Sequence, residues 1–329
     1  MKNLLMILIF VAATSTYAYE VDSKQGNVTG IDRLTEKVSN HQWSHGAENC
    51  EDDKSAAIEI LEVNKDTYIL RQNRCTNYES PFIYLLFGEH TLFIQDTGAT
   101  EDADEFPLYK TVNQIIEQRA LTYEEKLATE LKILVTHSHG HSDHRAADEQ
   151  FRGKENVTLI EADEEAVQGY FGFNQWPEGE ATVDLGNRTL TVLPIPGHHA
   201  QSIAVYDAHT QWLLTGDTFY PGRLYVRDWQ AFKDSISTLV SFSKRHTIRA
   251  IMGTHIEMSK QPGVDYPMGN LFQPDEAPLP LFVNDLELLD TVLIDMGDEA
   301  DDKVLDKVII SPVGMLQKTV GTALGWIFG

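Results

Sequence analysis

Cysteine is nearly absent: Cys50 and Cys75 are the only two in 329 residues. They match no zinc-ligand spacing, which excludes a thiolate metal site. In an oxidising compartment an even pair reads as a disulfide, and otherwise as two buried thiols; neither reading makes them catalytic. Positive charge is scarce as well, with 26 Lys and Arg against 50 Asp and Glu and a formal net charge of −24. Such a surface repels nucleic acid backbones and anionic membranes, so no nucleic-acid partner is expected. Long apolar runs are missing too. Leu4 to Ala13 is too short to span a bilayer, and Val313 to Phe328 is apolar but interrupted by glycines, so no stable membrane insertion is expected. Lys2, the Leu4 to Ala13 run and Thr16-Tyr17-Ala18 together have the form of a cleaved signal peptide over residues 1–18. The expectation is export, to a periplasm or out of the cell. Cleavage would remove one cation and no acid, taking the charge from −24 to −25.

Histidine is concentrated where cysteine is not. Thr136-His137-Ser138-His139-Gly140-His141-Ser142-Asp143-His144 holds four of the twelve histidines and follows the apolar run Leu131 to Val135. On a loop leaving a buried strand, imidazoles and a carboxylate at this spacing can converge on a metal ion, because a loop can aim alternate side chains inward. A core strand would not tolerate the cluster unpaired.

His139-x-His141-x-Asp143-His144 fits the pattern H-x-H-x-D-H, and here the chain resembles the metallo-β-lactamase-fold hydrolase superfamily. Pro196-Gly197-His198, Leu214-Thr215-Gly216-Asp217 and Gly253-Thr254-His255 continue the resemblance in order, each after an apolar, strand-like run. Starting the motif at His137 would put His141 where the aspartate belongs, so His139 is taken as the first ligand and His137 as a supporting or packing residue. One departure stands out. Small residues, often a Gly pair, commonly follow the last motif histidine, whereas this chain has Arg145-Ala146-Ala147, which puts the local loop geometry in question.

The rest of the chain organises around that loop. Residues 19–55 form a polar N-terminal extension, with a short helix expected over Ile31 to Val38. Residues 56–262 form the catalytic domain, and residues 263–329 a C-terminal extension that packs on the core. Ile58 to Val63, Thr67 to Leu70, Phe82 to Phe87 and Thr91 to Gln95 read as a strand meander, followed by a covering helix over Phe106 to Leu121. After the metal loop a helix is expected over Asp143 to Phe151, then a strand over Val157 to Glu161 and a helix over Asp163 to Gly169. A second meander runs through Thr189 to Ile195, Ser202 to Tyr206 and Gln211 to Thr215, and a helix over Asp228 to Arg245 precedes the strand Ala250 to Met252. Beyond the prolines between 262 and 280, Phe282 to Ile294 is helical by pattern. Two meander-then-helix halves fit an α/β, αββα four-layer sandwich, which the resemblance also implies.

The resemblance places His139, His141 and His198 on one metal, Asp143, His144 and His255 on the other, and Asp217 as the bridge. Five imidazoles and two carboxylates suit Zn²⁺, two per chain, better than Mg²⁺ or Ca²⁺. A hydroxide between the two cations would attack a small-molecule acyl substrate, an ester or lactone, with Asp143 passing a proton to the leaving group. Asp217 stands where β-lactamases of this fold have Cys or Ser, which disfavours β-lactam hydrolysis as the main activity. A phosphodiester substrate or residual β-lactamase activity is the alternative at the same site. A non-catalytic metal-binding protein or an iron-dependent oxidase or dioxygenase is the alternative of another class.

Five other features keep two readings each or a default. Tyr220, three residues after Asp217, resembles the N-acyl homoserine lactonases' carbonyl-assisting tyrosine, or simply packs at the site mouth. Arg223 and Arg227 hold a substrate carboxylate or phosphate, or are structural. The Tyr170 to Pro177 aromatic loop lines a cleft or forms a satellite cluster. Asp96 supports the site floor without ligating, and His41, His45, His90, His199, His209 and His246 default to surface or packing roles.

Overall fold

The computed structural model describes residues 30–123 and 131–314. The signal peptide expected over residues 1–18 and the last fifteen residues lie outside the described residues. The described residues open with α1 (Gly30–Ser39), then β1 (Ile58–Asn64), β2 (Thr67–Gln72), β3 (Phe82–Phe87), β4 (Thr91–Gln95) and α2 (Leu108–Thr122). β5 (Lys132–Thr136), α3 (Asp148–Phe151), β6 (Val157–Leu159) and α4 (Glu164–Phe171) complete the first half. The second holds β7 (Ala181–Asp184), β8 (Thr189–Pro194), β9 (Ile203–Asp207), β10 (Trp212–Gly216), β11 (Arg223–Val226), α5 (Trp229–Ser243) and β12 (Ala250–Gly253). β13 (Pro280–Leu281), α6 (Val283–Met296), β14 (Lys303–Val304) and β15 (Ile309–Pro312) follow.

Two six-stranded sheets result, ordered β1-β2-β3-β4-β5-β6 and β13-β12-β10-β9-β8-β7, with a small third sheet β11-β15-β14. Each large sheet starts as an antiparallel meander and turns parallel where β5 joins β4 and β12 joins β10. A parallel pair needs a crossover, and α2 and α5 supply one for each sheet.

Strand pleating decides what lies where. On β3 the run Phe-Ile-Tyr-Leu-Leu-Phe is apolar throughout because both faces are covered. Phe82, Tyr84 and Leu86 face the space between the sheets, meeting Leu190, Val192, Trp212 and Met252 from the other sheet. Ile83, Leu85 and Phe87 face outward and are covered by Leu108, Val112 and Ile115 of α2. The second sheet turns Leu193, Ala204, Leu213 and Ile251 outward onto Phe232, Ile236 and Leu239 of α5 and Leu286, Leu289 and Leu293 of α6. The result is helix, sheet, sheet, helix. Val38 of α1 and Val167 of α4 also join the inner core, and Trp212 Nε1 donates to Thr35 Oγ1 at 2.9 Å, so both helices help close the sandwich.

One expectation needs correction. The single helix over Asp143 to Phe151 is instead a 3₁₀ turn, Ser142–His144, followed by the short α3. Between them the Ala146 N–H donates to the Gly98 carbonyl at 2.9 Å, an external bond that replaces the intrahelical one. The strands β7, β11 and β13 to β15 were not expected at all. β13 extends the second sheet from β12, and β15 pairs in parallel with β11.

Candidate metal centre

Every expected ligand leaves the end of a strand on one rim of the sandwich. His139 and His141 follow β5, with Asp143 and His144 in the 3₁₀ turn beyond; His198 follows β8, Asp217 follows β10 and His255 follows β12. Cross-sheet bonds hold the rim together: Phe82 N–H donates to the Thr254 carbonyl at 2.7 Å, and Ile203 N–H to the Ser138 carbonyl at 2.9 Å. Gly216 is required where Asp217 approaches the metal loop, since its φ is +54° and a Cβ would lie 2.6 Å from Ser138 Cβ.

The side chains gather into two groups, His139 with His141 and His198, and Asp143 with His144, Asp217 and His255, each group's ligand atoms lying within 4.8 Å of one another. In the first, His139 Nε2 and His141 Nδ1 are 2.9 Å apart, and His198 Nε2 is 3.2 and 3.0 Å from them. Three ring nitrogens cannot all be satisfied by the protons of neutral imidazoles. Tetrahedral zinc at about 2.0–2.1 Å from nitrogen separates its ligands by roughly 3.3 Å, which these distances approach. In the second group, Asp143 Oδ2 is 3.1 Å from His144 Nε2 and 3.3 Å from His255 Nε2. Asp217 reaches both groups: Oδ2 is 3.5 Å from His144 Nε2, 3.7 Å from His198 Nε2 and 3.9 Å from His139 Nε2, while Oδ1 is 3.5 Å from His255 Nε2. The donor set fits two zinc ions.

The outward ring nitrogens are held as ligating histidines require. His198 Nδ1 lies 2.8 Å from the Tyr225 carbonyl and His255 Nδ1 2.9 Å from the Glu79 carbonyl. His139 Nδ1 is 3.1 Å from Ser138 Oγ, and His144 Nδ1 is 3.2 Å from Asp96 Oδ2. Asp96 also accepts from the Ser138 N–H at 2.6 Å and from Ser138 Oγ at 3.0 Å, and adopts φ +72°, a conformation Asp and Asn tolerate. One buried carboxylate thus orients both groups. His137 sits behind the loop, 2.9 Å from Asp148 Oδ1, and contributes to neither.

The two groups differ electrostatically. Burial pushes His139 well below the usual imidazole value and His141 down to about 2, with neighbouring histidines adding to the shift; burial also lowers His198. Burial opposes charge on His144 and His255 too, but carboxylates outweigh it there. Asp143, Asp217 and Asp96 hold His144 well above its ordinary value, and Asp217 and Asp143 raise His255 to about 9.

A cavity of about 200 Å³ opens onto the groups, bordered by Tyr78, Glu79, Tyr225, Arg227, Glu257 and Met268 among others. Glu79 and Glu257 escaped the sequence reading. Burial, then the Asp143 charge, pushes Glu79 up to about 7, and burial raises Glu257. Glu257 stands two residues past His255 and could have been suspected on that ground, whereas no pattern marks Glu79. Tyr220 borders the cavity and is 1% exposed, but its hydroxyl donates to the Arg223 carbonyl at 2.6 Å with Glu257 Oε2 at 3.0 Å. Arg223 is paired with Asp265 at 2.7 Å. In the aromatic loop, Phe173 and Trp176 pack on the inner core and no residue from 170 to 177 lines this cavity. His199 packs edge-on to His141 at 4.9 Å and joins neither group.

Cys50 and Cys75 are joined by a disulfide. Arg74, next to it, and Arg71 pair with Glu276 at 3.2 and 2.6 Å, tying the segment before β3 to the loop before β13.

Comparison with known proteins matches residues 78–296 to the family described as the metallo-beta-lactamase superfamily. The acyl-coenzyme A thioesterase MBLAC2 of Gallus gallus is 30% identical over 87 residues, 25% of this chain and 30% of that protein, so the chain spans under a third of this relative's length. A solved metallo-beta-lactamase from Pontibacter korlensis is similar at 14% identity, covering 72% of this chain and 99% of that one with a TM-score of 0.46. FIM-1 from Pseudomonas aeruginosa, in its mono-zinc form, is similar at 12% identity, covering 74% and 97% with a TM-score of 0.47.

Proposed function

The chain belongs to the metallo-β-lactamase superfamily, and on that premise we propose that it is an exported two-zinc hydrolase acting on a small ester, lactone or related acyl substrate. The observation that carries this is the sharing of Asp217 between two ligand groups, since one aspartate within reach of both lets two cations face a single substrate. Two zinc ions, when bound, supply an activated water as nucleophile and positive charge for the oxyanion that develops.

The chain's own residues then divide the work. Ser138, Asp96 and the Tyr225 and Glu79 carbonyls fix the imidazole rings, so no reorganisation is spent at the moment of reaction. Asp143 is the acid-base group. Its Oδ2 lies among the His144 and His255 nitrogens, leaving Oδ1 as the atom that takes a proton from water and returns it to the leaving oxygen. Tyr220 is left out of the chemistry, because its single proton is already donated to Arg223. A 200 Å³ cavity suits a small substrate. The thioesterase relative acts on another acyl bond, which supports the acyl class. Residues 1–18 and the Cys50–Cys75 bond support export.

The test is parallel hydrolysis of a lactone, an aryl ester, a thioester, a phosphodiester and a β-lactam by the zinc-loaded protein, with Asp217→Asn as control. Turnover of the lactone, ester or thioester that disappears in the variant supports the reading. Turnover of the phosphodiester or β-lactam alone overturns it, as does none at all in a protein verified to hold two zinc ions.

A further inference from the structure

The tautomer of His141 poses a problem that the two ligand groups leave open. Its Nδ1 converges with His139 and His198, while its Nε2 faces Arg227 Nη1 at 3.1 Å. A guanidinium only donates, so this contact needs the ring proton on Nδ1. Convergence on a cation needs Nδ1 as a lone pair, which puts the proton on Nε2. In that state His141 Nε2–H and the Arg227 fork are two donors side by side, and neither can satisfy the other.

Arg227 is built into this position. Its backbone N–H donates to the Gly197 carbonyl at 2.9 Å, one residue from His198, and its side chain borders the cavity. Arg223 and Arg227 both sit at partly exposed positions bracketing β11's buried Leu224 and Val226. Arg223 is neutralised by Asp265, whereas Arg227 has no carboxylate partner among the described residues. Two adjacent donors without an acceptor, at the wall of a reaction cavity, call for an acceptor from the substrate.

We propose that Arg227, with His141 Nε2–H, binds a carboxylate of the substrate remote from the scissile acyl bond, making this protein selective for acyl compounds that also carry a free carboxylate. A planar carboxylate matches the guanidinium fork. The substrate class rests on the acyl-hydrolase reading; the anion anchor itself does not.

The experiment has a turnover arm and a binding arm, both on zinc-loaded protein of verified metal content. Monomethyl adipate is compared with its neutral amide counterpart as a substrate, and adipate with adipamide as a ligand by calorimetry, in wild type, Arg227→Met and Arg227→Lys. The wild type should favour the carboxylate ester about ten- to hundredfold, chiefly through KM, and bind adipate over adipamide by a similar factor. Arg227→Met should erase both preferences, and Arg227→Lys should restore part of them. Arg227-dependent adipate binding without turnover of either ester would sustain the anchor and overturn the acyl-hydrolase reading. Equal adipate binding by wild type and Arg227→Met overturns the anchor, whatever the turnover.

Discussion

Proton-linked zinc loading should separate the two ligand groups. In the metal-free protein His139, His141 and His198 are held neutral, so a cation enters that group without displacing protons near pH 7. His144 and His255 are held protonated by Asp143 and Asp217, His255 with a pKa of about 9. A ligand must be deprotonated to bind, so each protonated imidazole costs about a factor of ten in apparent affinity per pH unit below its pKa. With two such groups, affinity at the second site should rise roughly ten-thousandfold between pH 6 and pH 8, on the order of 5.5 kcal/mol. Affinity at the first site should stay within about tenfold over the same interval. Stepwise zinc titration against a chelator at pH 6, 7 and 8, with calorimetry at pH 7 in buffers of different ionisation enthalpy, reads both slopes and the protons released. Equal pH slopes for the two zinc ions, or a flat second one, would refute the electrostatic contrast drawn between the groups.

Three further outcomes follow from contacts described above. Asp96→Asn, which keeps the left-handed backbone accessible, should weaken zinc at both groups by about ten- to hundredfold, whereas Ser138→Ala should weaken mainly the His139 group; chelator competition on each variant distinguishes them. Arg188 and Asp207 form a buried pair at 2.6 Å, so Asp207→Asn should cost about 3–5 kcal/mol in urea unfolding by stranding the Arg188 charge. Burial alone would raise Asp207, but Arg188 and its hydrogen bonds hold it below the usual carboxylate value. Its contribution is therefore intact above the unfolded-state pKa and lost as pH falls through the folded one, and the pH profile of the Asp207→Asn difference should show it. Replacing Cys50 and Cys75 together by Ser should lower unfolding stability by about 3 kcal/mol without changing zinc stoichiometry; loss of a zinc ion on that double change would show that the bond shapes the site itself.

The ligand loop was legible because several constraints coincide in it: an apolar strand, then alternating imidazoles that no core would accept unpaired. The β3 and β10 strands were equally plain, as continuous apolar runs covered on both faces. β11 was hidden because it is only four residues long and its partner β15 lies more than eighty residues on. Asp143 to Phe151 reads as helical, yet the Gly98 carbonyl draws the Ala146 N–H away, a contact that no local pattern encodes. Glu79 entered the cavity for the same reason, through a carbonyl that happens to meet His255 across the sheets. Patterns report what a segment prefers, and such positions are settled by what it meets.

Each ligand group is assembled from both sheets. The first sheet's rim gives His139 and His141 to one group and Asp143 and His144 to the other; the second gives His198 to one, and Asp217 and His255 to the other. Neither half of the chain can hold a complete group. A bound cation therefore acts as a rivet through the joint of two plates, and a protein stripped of zinc should lose stiffness along the seam between its sheets before any single loop comes apart.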